Sequence, residues 1–196
     1  MMNLYKPMIM LFCLLFMTSC STEVTDYQHT RPKFDIKSYF DGELIAWGMV
    51  QDYSDLVTRR FCVELNARWQ NNQGELDEIF YFDDGEISYR TWQLTKLKND
   101  QYSGTAEDVV GSAKGKQSGH AFQWQYQLLV PIDGKIVQFD MDDWMYQIDQ
   151  YRVFNRTKMN KFGVNVAEIT LFFDKETSFK KCLPKRATEI NPSMPG

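Results

Sequence analysis

The sequence has little of what metal sites and nucleophilic active sites require. Its 196 residues include only 2 histidines and 4 cysteines. His29 and His120 lie far apart in the chain, whereas zinc is held by clustered cysteines, histidines and carboxylates. The chain contains no Gly-x-Ser-x-Gly motif, and neither histidine has an obvious serine or cysteine partner. We therefore expect no metal and no cofactor, and we leave open whether the protein is an enzyme.

The sequence also lacks an excess of positive charge. Lysine and arginine together number 22, against 26 aspartates and glutamates, which gives a formal net charge of −4. A protein that binds nucleic acid needs a basic surface to neutralise phosphates, and the chain has no cluster of lysines and arginines. The charge balance therefore argues against a nucleic-acid partner.

Long apolar runs are missing except at the N-terminus. Residues 7–17 are apolar, follow a single cation at Lys6, and are too few to span a membrane as a helix. The next residues, Met-Thr-Ser-Cys, resemble a bacterial lipobox. We therefore predict a lipoprotein signal peptide over residues 1–19 and lipidation at Cys20, which would attach the protein to a membrane. Ser21 after the cysteine favours the outer membrane, with the domain facing the periplasm.

Polar segments flank the predicted domain of the mature chain. Residues 20–36 suit an acylated N-terminus and a tether, residues 37–175 a single domain, and residues 176–196 a polar C-terminal tail. Cys62 and Cys182 are the cysteines that remain. A disulfide between them is possible in an oxidising compartment, but Cys182 lies in the tail, so the pairing is left open.

Apolar and polar residues alternate along most of the domain, as they do in half-buried antiparallel strands. Asp-Gly pairs and a glycine-rich turn at 115–119 separate these segments. Sequential strands with tight turns indicate an all-β, up-and-down meander, which closes into a lipocalin-like (calycin-like) β-barrel of about eight to ten strands. An open two-sheet sandwich is the alternative. The predicted strands are 43–51, 57–69, 75–82, 86–97, 101–108, 120–131, 135–147, 151–157 and 163–174.

Several ordered motifs resemble one known family. They are YFDGELIAWGMVQD (39–52), LDEIFYFDDGEISYRTWQL (76–94) and GTAEDVVGSAKGKQSGHAFQWQY (104–126), followed by DDWMY and FNRTKMNKFGV. Together they look like the proteobacterial lipoproteins grouped as domain of unknown function 3833, over residues 35–175. The resemblance implies no established activity. It does imply a lipid-related context, because relatives tend to be encoded near enzymes that modify fatty acyl chains. Cys62 and Cys182 are not part of the resemblance.

Two charged residues lie inside predicted strands on either side of one hairpin. Glu78 shares a face with Leu76 and Phe80, and Arg90 shares a face with Trp92. Cross-strand neighbours interact at close range, so we predict a Glu78–Arg90 pair. The pair is either a buried ion pair that fixes the register of the two strands or a site that binds the polar head of a ligand.

The segment DMDDWMYQI (140–148) places acids beside tryptophan in a predicted strand. One face carries Asp140, Asp142 and Trp144, and the other carries Asp143 among apolar residues. We predict that these acids are either solvated at the rim or paired with basic residues of the next strand, Arg152, Arg156, Lys158 and Lys161. A role in a ligand site is the alternative. If the protein is an enzyme that acts on acyl or isoprenoid substrates, its candidate carboxylates are Glu78, Glu107, Asp142 and Asp143.

The leading functional prediction is a lipid-anchored barrel that binds an acyl chain or another apolar molecule. An envelope interaction protein with a filled core is the second possibility, and the oligomeric state is not predicted. The candidate ligand-binding residues are Glu78, Arg90, Trp92, Trp124, Tyr126, Asp142, Trp144 and Arg156.

Overall fold

The structure is a computed structural model that describes residues 21–177 and Cys182. The predicted signal peptide, the lipidation site at Cys20 and the tail, except for its first residues and Cys182, lie outside the described residues. Two short helices precede the strands: a 3-10 turn, Val24–Tyr27, and helix α1, Ile36–Tyr39. No helix in the described part of the chain is long and apolar enough to cross a membrane.

Ten antiparallel strands form the body of the molecule. They are β1 (Gly42–Asp52), β2 (Val57–Gln70), β3 (Gln73–Phe82), β4 (Ile87–Lys96), β5 (Gln101–Thr105), β6 (Ala113–Ser118), β7 (Ala121–Ile132), β8 (Lys135–Gln147), β9 (Arg152–Lys161) and β10 (Val164–Asp174). Each strand pairs with its neighbours in the chain, and β10 pairs with β1 to close a barrel. Closure removes free sheet edges. The predicted up-and-down barrel is confirmed.

Strand β6 is the main difference from the predicted strands. The glycine-rich stretch was expected to turn at 115–119, but residues 113–118 form a strand paired with β5 and β7. Gly115 lies beneath aromatic side chains of β7, and a Cβ atom there would come within 2.4 Å of both Phe122 and Trp124. Glycine is therefore needed for packing in this strand, and the turn begins only at Gly119.

The alternation of the sequence matches the two faces of the barrel wall. On β2, the alternating residues Phe61, Val63, Leu65 and Ala67 point into the core. The core also contains aromatic residues from β4, β5 and β7, so the apolar faces of the strands meet inside one closed wall.

One end of the barrel is closed by the N-terminal segment. This closed end contains helix α1 and the turns at 71–72, 97–100, 119–120 and 148–151. Phe34 is fully buried there, and its backbone N–H donates to the Gly119 carbonyl at 2.8 Å. The indole N–H of Trp69 donates to the Phe40 carbonyl at 2.9 Å. The segment expected to be a tether is thus packed against the barrel from Val24 onward.

The opposite, open end consists of the turns at 53–56, 83–86, 133–134 and 162–163, together with the connection 106–112 between β5 and β6. Asp133 and Gly134 both have positive φ, as a tight two-residue hairpin requires. No helix packs across this end in the described part of the chain.

The two cysteines whose pairing was left open form a disulfide. Cys62 on the outer face of β2 is bonded to Cys182, with their Cα atoms 5.4 Å apart. The bond joins residues 120 positions apart in sequence, so it ties the C-terminal tail to the barrel wall at this point. Sequence proximity could not indicate the pairing, because only the fold brings these residues together.

Candidate ligand-binding cavity

The barrel encloses a cavity of about 570 Å³. This volume lies within the range of small-molecule sites, about 300 to 1,000 Å³. Apolar and aromatic side chains from most strands line the cavity, among them Phe61, Phe80, Trp92, Trp124, Leu128 and Met141. The lining runs from Phe40 at the closed end to Thr58 and Glu86 at the open end. The interior is therefore an elongated apolar space rather than a fully packed core.

A group of charged residues interrupts this apolar lining on one wall. Glu78 and Arg90 are directly opposite each other on β3 and β4, and their closest charged atoms are 3.8 Å apart. The predicted Glu78–Arg90 pair is confirmed. Arg90 makes a stronger contact with Asp108, donating from Nε at 3.0 Å and from Nη2 at 2.6 Å to the same carboxylate oxygen. The guanidinium also lies 5.5 Å from the Phe80 ring centroid, within the range of cation–π contacts.

A second polar group faces the cavity from β8 and β9. Asp143 accepts a hydrogen bond from the Asn155 side-chain amide, which also donates to the Trp144 carbonyl at 3.2 Å. The Thr157 hydroxyl donates to the Asn155 side-chain oxygen at 3.3 Å. These polar side chains are almost fully buried, as is usual only for groups that have hydrogen-bond partners.

Burial changes the ionisation of the groups that face the cavity. It raises the pKa of Glu78 to about 7, although the neighbouring Arg90 opposes the shift. It also raises the pKa of Asp143 to about 7, against the hydrogen bonds from Asn155 and Thr157. Burial, followed by the charge of Asp143, raises the pKa of Tyr126 above its usual value. The cavity therefore holds two carboxyl groups that exchange protons near neutral pH, beside a tyrosine that stays protonated.

The structure brings together five of the eight candidate residues. Glu78, Arg90, Trp92, Trp124 and Tyr126 all line the cavity. Trp92 packs edge-on against both Trp124 and Tyr126, with ring centroids 5.6 and 5.4 Å apart. The three rings meet inside the barrel because Trp92 on β4 and Trp124 and Tyr126 on β7 occupy inward positions, which alternate with outward positions along each strand.

The other three candidates, Asp142, Trp144 and Arg156, lie on the outer face of the barrel and do not line the cavity. Trp144 is nevertheless buried, because the N-terminal segment covers it: the Tyr27 ring lies 6.1 Å from the Trp144 ring, centroid to centroid. Asp142 accepts a hydrogen bond from the Trp144 indole at 3.1 Å. The acid beside tryptophan thus helps to hold the N-terminal segment on the wall.

The predicted pairing of these acids with Arg152 and Arg156 is wrong. Asp142 accepts from the Gln123 side-chain amide at 2.6 Å instead. Arg156 pairs with Glu168 on β10, and Arg152 pairs with Asp149 and Glu176. Both arginines point outward on β9, where β10 and the ends of the strand supply closer acids.

The polar residues Asp108, Asn155 and Thr157 also line the cavity but were not among the candidates, and Asp143 was named only as a candidate carboxylate of the enzyme alternative. Asp143 did have a signal, because it is the single acid on the apolar face of β8. Asn155 and Thr157 also share a face with the buried Val153 on β9. No sequence pattern indicated Asp108, because it lies in the irregular connection between β5 and β6, where strand alternation does not predict which way a side chain points.

The described residues contain no group of three or more histidine, cysteine or acidic side chains in a geometry that would hold a metal ion. The polar groups that line the cavity are carboxyls, two guanidinium groups, phenols, hydroxyls and an amide. Such a set can hydrogen-bond a ligand or move protons.

These features define a closed, ten-stranded antiparallel barrel with an apolar cavity and a buried polar cluster. A family model described as "Protein of unknown function (DUF3833)" matches residues 14–175, most of the chain. The chain belongs to this family, which confirms the resemblance seen in its motifs. No curated protein matches the sequence.

Proposed function

We propose that this protein binds an apolar, chain-shaped molecule, such as a long acyl or alkyl chain, inside its barrel. The observation that carries the proposal is the cavity of about 570 Å³, whose walls are largely aromatic and aliphatic and whose polar groups are concentrated beside Glu78 and Arg90. An apolar chain would occupy the part of the cavity lined by aromatic and aliphatic side chains, and its polar end would lie near Glu78 and Arg90. Burial of apolar surface supplies the affinity, about 25 cal/mol for each Å² removed from water.

The test is to purify residues 21–196 under native conditions and to identify co-purifying molecules by mass spectrometry. A cavity-blocking variant, Ser88→Trp, places an indole into the cavity near the open end, because Ser88 lines it. Gln93→Trp on the outward side of the same strand is the matched control. We expect a chain-shaped molecule with the wild type and with Gln93→Trp, and its loss with Ser88→Trp. An equal yield from all three proteins, or none from any, would overturn the proposal.

One observation favours a second candidate function, catalysis by acid–base chemistry on the bound chain. Two carboxyl groups with pKa values near 7, Glu78 and Asp143, face the same cavity. Shifted carboxyls in an apolar site are a common feature of catalytic sites. If this candidate is correct, incubation converts the bound molecule to a product, and Asp143→Asn abolishes the conversion while the molecule stays bound.

The proposal also includes a membrane anchor, supported by the lipobox-like sequence that ends at Cys20. Cells grown with labelled palmitate should incorporate label into the wild-type protein and not into Cys20→Ala. Ser21→Asp should move the protein from the outer to the inner membrane fraction. Unlabelled wild-type protein in the soluble periplasmic fraction would contradict the anchor.

A further inference from the structure

The charged groups that line the cavity carry an excess of carboxyls. Six lining residues are formally charged when ionised: Arg59, Arg90, Glu78, Glu86, Asp108 and Asp143. Two cations against four carboxyls give a formal balance of 2 − 4 = −2. An anionic ligand therefore meets an acidic lining, unless one of the arginines is available to it.

Both arginines are already paired. Arg90 makes a charge-assisted, two-point contact with Asp108, the strongest geometry that a guanidinium has for a carboxylate. Arg59, near the open end, contacts Asp84 at 2.8 Å and Glu86 at 2.7 Å. At the Glu78 cluster the lining cation Arg90 is therefore already neutralised by Asp108, whereas Arg59, at the open end, keeps a buried Nε–H without a hydrogen-bond partner.

One carboxyl oxygen of Glu78 presents the opposite situation, an acceptor without a hydrogen-bond donor. Its Oε2 atom is buried and has no hydrogen-bond partner, and the nearest cationic atom is Arg90 Nη1 at 3.8 Å. The side chain is only 12% exposed and lines the cavity. A buried acceptor without a donor is costly, so this oxygen marks where a ligand donor would be most stabilising.

We infer that the ligand carries a hydrogen-bond donor at its polar end, a hydroxyl or an ammonium group, which binds at Glu78 Oε2, and that chains ending in an anion are rejected. The inference rests on the proposed function and specifies the class of ligand. Rejection follows because an anion would lie beside a carboxyl oxygen that accepts no hydrogen bond and whose nearest cation, Arg90, is already held by Asp108. A donor group would instead complete the hydrogen bonding of that oxygen.

The ionisation of Glu78 supports this assignment. The groups that face it from the packed elements are Arg90 and Trp92 on β4, Asp108 in the β5–β6 connection, Tyr126 on β7 and Asp143 on β8. Burial raises the pKa of Glu78 to about 7, so the carboxylate prevails at pH 8. An alkylammonium group should therefore bind more tightly at pH 8 than at pH 6. An alcohol should depend less on pH, since a protonated carboxyl also accepts a hydrogen bond.

The experiment is calorimetric titration of the delipidated protein at pH 6 and pH 8 with dodecylamine and dodecanoate below their micellar concentrations and with dodecanol below its solubility limit. The three probes share a chain and differ only in the polar end. We expect dodecanol and dodecylamine to bind at least about tenfold more tightly than dodecanoate at pH 8, as a hydrogen bond to a charged group implies. Glu78→Gln should reduce dodecylamine affinity about tenfold and should narrow the preference over dodecanoate. Glu43→Gln, at an exposed glutamate of β1 outside the lining, should bind like the wild type.

The outcomes separate the two proposals. Tightest binding by dodecanoate, or an unchanged preference in Glu78→Gln, overturns the inference and leaves the proposed function standing. Failure of all three chains to bind the wild type overturns both. Thermal unfolding of each variant shows that it is folded, and Asp143→Asn provides a second buried carboxyl variant if Glu78→Gln does not fold.

Discussion

The two ends of the barrel are built differently. At the closed end, the N-terminal segment packs Phe34, Tyr39 and Phe40 into the opening, and their rings contact one another edge-on. At the open end, the hairpins expose apolar side chains to solvent, among them Tyr53, Leu56, Ile87, Tyr89, Ile132, Ile136, Phe162 and Val164. In the described closed-end turns and the strand residues beside them, the large apolar residues of comparable exposure are Leu97, Ile148, Tyr151 and Phe154.

This contrast shows how one fold separates stability from access. The closed end combines aromatic burial with polar contacts that hold the N-terminal segment in place, including the Lys96–Asp35 ion pair at 2.6 Å. At the open end no helix in the described part of the chain covers the cavity. Changes at the closed end should therefore affect folding, and equivalent changes at the open end should not.

The largest expected effect on the free energy of unfolding comes from the N-terminal segment at the closed end. Phe34→Ala removes a fully buried ring and leaves a cavity, so the free energy of unfolding should fall by about 3 to 5 kcal/mol. Phe162→Ala is the matched control, since that ring is 91% exposed. Urea unfolding followed by circular dichroism gives both values. An equal loss of unfolding free energy in the two variants would show that the N-terminal segment does not stabilise the barrel.

The cavity between the two ends should make stability depend on pH. Because burial raises the pKa of Glu78 and Asp143 to about 7, the folded state binds protons that the unfolded state releases above about pH 4. The stability from each group is present below pH 4 and is lost as the pH rises to about 7. For Glu78 the loss is on the order of 3 kcal/mol. The free energy of unfolding, measured by urea titration across this pH range, should decline less steeply in Glu78→Gln than in the wild type.

A smaller effect is expected from the residue that caps helix α1. Asp35→Ala removes a carboxylate that accepts from the Ser38 N–H at 3.1 Å and pairs with Lys96, at a cost of about 1 to 2 kcal/mol. Burial acts to raise the pKa of Asp35, but the hydrogen bonds from Lys96 and Ser38 outweigh it and lower that pKa. The contribution of Asp35 is therefore present above about pH 4 and lost as the pH falls further. Asp35→Asn, which retains a capping oxygen, should lose less; a larger loss than in Asp35→Ala would contradict the capping role.

The smallest effect is expected at the open end. Tyr53 is 86% exposed in the β1–β2 turn, and its removal breaks no buried contact. Tyr53→Ser should therefore change the free energy of unfolding by less than about 0.5 kcal/mol. A melting temperature well below that of the wild type would show that the open-end hairpins hold the barrel together, and the contrast between the ends would fail.

Strand period predicted most of the barrel because the wall has a clear inside and outside. It identified the inward positions of β2 and the cross-strand pair of Glu78 and Arg90. It failed for β6, where glycine serves packing against aromatic rings of the next strand rather than a turn. Contacts of that kind depend on which strands become neighbours, and local sequence does not encode them.

The site was harder to predict for the same reason. The alternation of β8 places Asp143 on the inward face of the strand. The prediction for the acids of β8 relied instead on the positive charges of the next segment. The burial of Trp144 depends on Tyr27, which is more than a hundred residues away in sequence. The segment that carries Tyr27 had been expected to be a tether, so no local pattern could indicate that it covers an outer face.

The disulfide has a consequence for how the barrel responds to mechanical force. Cys62 and Cys182 enclose strands β3 to β10 in a covalent loop, whereas β1 lies wholly outside it. A force applied to residue 21 and to Cys182 therefore bypasses the loop and acts first on β1, which is hydrogen-bonded to β2 and β10. Stretching the oxidised protein should release only the chain before Cys62. After reduction, the 120 residues of the loop would add on the order of 400 Å of contour length.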